Sequence, residues 1–165
     1  MLHLILPTVR SRCQSHVMAV PSEEQANAWL LEQGIDAAQI PVLWRASGSR
    51  PDWVLQRWSE GLRADMWAQW PRLLARGQAG LLELMPVTEG LACLQKLCHD
   101  LMAVGLGLTP RFFQAEDLPK KPSPMRAADW AVELNAMAAW VDRPFQPVLQ
   151  LQAWTARARM AMRAR

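Results

Sequence analysis

The chain has 165 residues, 51% of them hydrophobic and 20% charged, with a formal net charge of +3. That is enough apolar side chain for one ordinary domain or two small ones with a packed core, and it excludes wholesale disorder. The three cysteines, Cys13, Cys93 and Cys98, are odd in number and unevenly spaced, which excludes a disulfide framework. No apolar run reaches membrane length, and the apolar stretch 2–6 is too short for a signal peptide and runs into Pro7. A cytoplasmic protein with no membrane contact is expected.

Charge is unevenly spread. Residues 1–119 hold ten Lys/Arg against twelve Asp/Glu, whereas residues 120–165 hold eight against three. Half of that late basic set is Arg157, Arg159, Arg163 and Arg165 at the end of the chain. A basic helical tail can meet phosphate or an acidic partner, or it can be a solvated end suited to the helix dipole.

In chain order, the apolar stretch 2–9 breaks at Arg10-Ser11-Arg12-Cys13, and weak alternation over 16–20 suggests a short strand ended by Pro21. Ser22, with Gln25 three residues on, reads as a capping box opening a helix that Gly34 stops. Asp36 is expected to cap a second helix carrying Ile40, Leu43 and Trp44 on one face. Ser47-Gly48-Ser49 is a turn, and Pro51 opens a third helix with Trp53, Leu55 and Trp58. Gly61 ends it, so residues 22–60 make a small three-helix bundle. Beyond 61–64 the elements lengthen. A helix over 64–76 is interrupted or started near Pro71, and a short one covers 81–85. The strongest spans 87–106, with Leu91, Leu94, Leu97, Leu101 and Val104 every three or four residues. Residues 109–124 form a proline-rich loop containing Phe112-Phe113 and Lys120-Lys121. Helices over 127–141, with Trp130, Leu134, Met137 and Trp140 on one face, and over 148–162 complete an all-α chain in two parts.

Much chemistry is missing from this pattern. No phosphate-cradling glycine loop occurs, carboxylates are scattered singly, and His3, His16 and His99 stand far apart. Cys93, Cys98 and His99 come nearest to a metal cluster, but five residues on a helix turn through about 500°, so the two thiols diverge by about 140°. Inert buried thiols are the expectation. A metal centre there lacks ligand spacing, and a catalytic Cys98 beside His99 lacks an orienting partner. The aromatic pair Phe112-Phe113 either tucks into its own bundle or serves a partner.

The segment Leu6-Pro7-Thr8-Val9-Arg10-Ser11-Arg12-Cys13-Gln14 resembles the signature that ends the ATPase core of AAA+ clamp-loader subunits. Leu94-Gln95-Lys96-Leu97-Cys98-His99-Asp100-Leu101, Thr109-Pro110-Arg111-Phe112-Phe113 and Val141-Asp142-Arg143-Pro144-Phe145 are similar to the collar of the delta-prime subunits of bacterial DNA polymerase III, so the resemblance covers essentially the whole chain. It implies three parts: 1–20 as the end of an AAA+ core, 21–62 as a three-helix lid, and 63–165 as a helical collar for oligomerisation. It implies partners, the gamma/tau and delta subunits, through the collar, with the sliding clamp and primer-template DNA met indirectly. It implies no cofactor or metal of the chain's own and no catalysis in cis. Arg12 of Ser11-Arg12-Cys13 would be a trans-acting arginine finger reaching a neighbour's ATP. In ATP-binding relatives an arginine follows Gly-Ser-x in the lid; here Pro51 holds that place and Arg50 stands one position early, which suits a non-ATPase subunit. The family has a full nucleotide-binding-type core before the signature, and this chain begins almost at the signature, as a fragment or remnant would. Two other readings stay open: a stand-alone helical nucleic-acid-binding module using the basic C-terminal helix, and a small helical enzyme around Cys98 and His99.

Overall fold

Local signals set the helix boundaries in this computed structural model, which describes residues 6–14, 16, 19, 21–138 and 147–162. After a single turn, α1 (Pro7–Arg10), come α2 (Glu23–Glu32), α3 (Ile40–Ser47), α4 (Pro51–Ser59), α5 (Ala64–Ala75), α6 (Val87–Gly105), α7 (Pro124–Ala138) and α8 (Pro147–Met162), with 3₁₀ turns at Gly80–Glu83 and Ala115–Asp117. Among the described residues the chain is all-helical and has no extended strand. The strand expected over 16–20 falls largely outside the described residues; His16 and Ala19 are irregular.

The capping box forms as its spacing dictates. Ser22 Oγ accepts from the Gln25 N–H, and Gln25 Oε1 accepts from the Ser22 N–H. Gly34 leaves α2 in the left-handed conformation, φ 82°. Asp36 does not cap α3. Its carboxylate accepts from the Ala38 N–H and holds a preceding turn, and α3 begins four residues after Asp36, at Ile40. Pro41 explains the shift, since a residue without an N–H is at home in a first helical turn and not further in. Pro71, by contrast, lies inside a helix that runs on from Ala64 to Ala75, with one backbone donor missing.

The apolar faces converge on one cluster that runs from Leu30 in α2 to Met162 in α8 and continues across residues 61–64. α5 lies at its centre, touching α3, α8 and both 3₁₀ turns, with Trp67 and Trp70 buried. α6 pairs chiefly with α7, burying Leu91, Leu94, Leu97 and Leu101 as the periodicity requires. α7 buries Trp130 and Leu134, with Met137 half-buried; Trp140 lies outside the described residues. In α4 the buried set is Trp53, Val54 and Arg57, with Leu55 and Trp58 only partly covered. Arg57 is accommodated by Glu60, whose Oε2 lies 2.6 Å from Nη1.

No helix among the described residues is long and apolar enough to cross a membrane.

The α6–α7 pairing depends on one close backbone approach. A Cβ on Gly105 would lie 2.9 Å from the Pro122 carbonyl oxygen and 3.1 Å from the Pro124 nitrogen, both backbone atoms that cannot swing away. Gly105→Ala should therefore lower unfolding free energy by about 1–3 kcal/mol despite alanine's better helix propensity. Urea denaturation checks this; a stabilised variant would mean that the two helix ends are not held this close.

Candidate functional site

The Ser11-Arg12-Cys13 tripeptide follows the single turn of α1. The Arg12 N–H donates to Val9 O at 3.1 Å and Ser11 Oγ to Thr8 O at 3.1 Å, so the tripeptide continues the turn, and all three residues are exposed. The Gly48-Ser49 turn places two successive residues at positive φ, 73° and 71°. Ser47 Oγ accepts from the Arg50 N–H at 2.9 Å and donates to Trp44 O at 2.6 Å. Pro51 is the first residue of α4, and Arg50 makes an exposed pair with Asp52 at 3.3 Å.

The cysteine–histidine group does not converge. Cys93 and Cys98 are both buried, and desolvation pushes each thiol up to about 12, so neither is a thiolate near neutrality. Cys98 Sγ donates to Ala127 O at 2.8 Å on α7, while His99 Nδ1 lies 2.8 Å from Asp100 Oδ1. The adjacent thiol and imidazole are thus engaged by different partners. No group of three or more potential metal ligands occurs among the described residues.

A fully buried carboxylate to which the sequence assigns no role of its own lies on the same helix. Asp100 faces the core from α6 and is 0% exposed. Its Oδ1 accepts from the Arg111 N–H at 2.8 Å, and its Oδ2 accepts from the N–H groups of Phe112 and Phe113 at 2.6 and 2.8 Å. Three successive backbone donors, with the His99 ring nitrogen beside Oδ1, therefore take the place of water around the carboxylate and fix the loop after α6. The sequence held a faint signal: Asp100 follows Cys93 and Leu97 at i+7 and i+3, on the buried stripe of the most strongly periodic helix.

The pinned loop decides where the aromatic pair goes. Phe113 is 1% exposed and stacks on Trp67, with centroids 4.6 Å apart and planes 8° from parallel. Phe112 is half-buried over Gly48, where an added Cβ would meet its ring at 3.0 Å. The loop's backbone is held from both bundles, because Trp67 Nε1 donates to Phe112 O at 3.1 Å and Arg45 Nη1 to Phe113 O at 3.4 Å. Both rings thus pack within the chain.

Lys96, one turn before Asp100, closes the same junction. Its Nζ donates to Ala46 O at 2.9 Å and lies 4.3 Å from the Trp53 ring centroid, with Trp67 and Phe112 at 5.9 and 5.8 Å. Burial lowers its pKa from the ordinary lysine value, and Glu89 works in the opposite direction. Glu89 itself accepts from Trp53 Nε1. Aromatic faces and a helix C-terminal carbonyl are the groups that receive a partly desolvated ammonium.

Of the C-terminal arginines, Arg157 pairs with Glu133 at 2.6 Å, and Arg159 lies over Gly77, where an added Cβ would be 3.5 Å from Nη1. Arg163 and Arg165 lie outside the described residues. Comparison with protein families, with curated proteins and with solved structures finds no match.

If the Asp100 cluster anchors the fold, Asp100→Ala should lower unfolding free energy by about 3 kcal/mol or more, since three N–H groups lose their acceptor together. Asp100→Asn, which keeps the shape but turns an amide donor toward donors, should lose about 2 kcal/mol. Urea unfolding of both variants checks this; losses below about 0.5 kcal/mol in both would show that the rings and the Trp67 and Arg45 bonds hold the loop without the carboxylate.

Proposed function

We propose that this chain is the lid-and-collar portion of a clamp-loader subunit of the delta-prime kind. It would be a non-catalytic piece of bacterial DNA polymerase III that helps load the sliding clamp onto primed DNA. In this reading residues 21–62 are the lid and residues 63–165 the collar, which assembles with the gamma/tau and delta subunits. The chain uses no cofactor of its own, and ATP is hydrolysed by its neighbours.

The observation that carries the reading is the exposed Arg12 at the end of the α1 turn, with Ser11 tied back to Thr8. A guanidinium directed to solvent is available to another chain's phosphates. Its planar, permanently charged fork suits charge that spreads over phosphoryl oxygens in the transition state. Pro51 at the start of α4 also supports a lid that does not read nucleotide, because it offers no charge where an ATP-sensing arginine would stand. The all-helical architecture is what a lid and a collar require.

In a clamp loader reconstituted around this subunit, Arg12→Ala should slow DNA-stimulated ATP hydrolysis by the neighbouring subunit roughly tenfold or more while leaving assembly intact. Arg12→Lys should restore little, since a point charge cannot reproduce the fork. An unchanged hydrolysis rate in Arg12→Ala would show that the arginine is an ordinary surface side chain.

A further inference from the structure

Two of the C-terminal arginines are engaged within the chain, Arg157 with Glu133 at 2.6 Å and Arg159 over Gly77. A different set of cations gathers where α3 meets the loop after α6. Arg111 lies over the Phe112 ring, with Cζ 5.2 Å from the centroid, and Lys96 Nζ is 5.8 Å from the same centroid. Arg45 reaches the next residue from α3, its Nη1 donating to Phe113 O at 3.4 Å. Arg45 and Arg111 are exposed, and Lys96 is half-buried. None of the three is in an ion pair among the described residues. The carboxylates of the surrounding elements are engaged elsewhere. Asp52 pairs with Arg50, and Glu89 accepts from Trp53 Nε1. Asp100 is enclosed by three N–H groups and the His99 ring. Three like charges about one dipeptide repel one another, and carbonyls and ring faces offset this only in part.

We propose that the surface between Arg45 and Arg111 binds the phosphate backbone of a nucleic-acid strand. The proposal stands independently of the clamp-loader reading. An anion arriving from solvent relieves the repulsion there without breaking an ion pair. A guanidinium fork matches the oxygens of a phosphate, and both exposed members of the set are arginines. The chain as a whole is basic, with a pI of about 9.1, so its field favours a polyanion. A polymer is favoured over a free phosphate because an exposed pair with an isolated ion is worth little in water. Successive phosphates, by contrast, release condensed counterions with each contact. The rings between the arginines offer a peptide little to grip, since Phe113 is 1% exposed and Phe112 is covered by Gly48. Such a surface reads charge and not base identity.

The test titrates the full chain against fluorescently labelled DNA duplexes of unrelated sequence over a range of salt concentrations. The wild type should bind them alike, with log affinity falling linearly with log salt. The double variant Arg45→Gln, Arg111→Gln should bind about tenfold more weakly at low salt. Its salt slope should be shallower by about 1.8, two phosphate contacts at about 0.9 each. Arg157→Gln, Arg159→Gln removes the same charge at the C-terminal helix and should leave the slope unchanged. If the first double variant does not fold by circular dichroism, Arg111→Gln decides alone, with a slope shallower by about 0.9. Three results overturn the proposal: no salt-dependent binding by the wild type, equal weakening by both double variants, or polyglutamate competing as well as unlabelled DNA. All of these readings use this chain alone, so they are indifferent to whether it joins a clamp loader.

Discussion

A carboxylate with no access to water must be solvated by something else, and in this chain the loop after α6 does that for Asp100. Three consecutive N–H groups, from Arg111 to Phe113, turn toward it. In doing so they direct the two phenylalanine rings into the space between the helices of residues 22–60 and the longer helices that follow. Phe113 then stacks on Trp67 and Phe112 covers Gly48. The stack, the Lys96 bond to Ala46 O and the Arg45 bond to Phe113 O all depend on the loop standing in that place. Hydrophobic burial provides most of the driving force for such a core. It is non-directional, however, and the carboxylate supplies the direction.

This arrangement explains why the two halves share one apolar cluster although the sequence divides between them. A two-part chain joined only by the turn at Gly61 would be free to flex there. Instead α3 and α4 meet α5 and α6 through groups that are partly desolvated and charged. Such contacts tolerate displacement poorly, because a partner lost from a buried charge is worth more than the pair contributes when made.

What was legible in the sequence was local or periodic. The Ser22–Gln25 capping box, the glycine stops, Pro51 at a helix start and the Leu91–Leu101 stripe each follow from neighbours within one or two turns, and each is found where it was expected. The start of α3 was misjudged because Asp36 and Pro41 give competing signals, and the proline's missing N–H wins. Asp100 and Lys96 are not legible as anchors, since the backbone and ring partners that tie them to other elements stand ten or more residues away: Arg111, Phe112 and Phe113 for one, Ala46 and Trp53 for the other. Nothing in a helical period reports a bond across that distance. Arg57 is a different case, a charge in the buried face of α4 whose partner Glu60 stands only three residues on.

If the Asp100 cluster joins the two halves, residues 22–138 open as a single cooperative unit. Native-state amide hydrogen exchange reads this directly, because each N–H reports the free energy of the opening that exposes it. The amides of Phe112 and Phe113 should exchange only through global unfolding, with the same opening free energy as core amides of α3 and α6. If the amides of α2–α4 exchange through a separate opening of lower free energy while those of α6 and α7 stay protected, the two halves unfold independently and Asp100 does not join them.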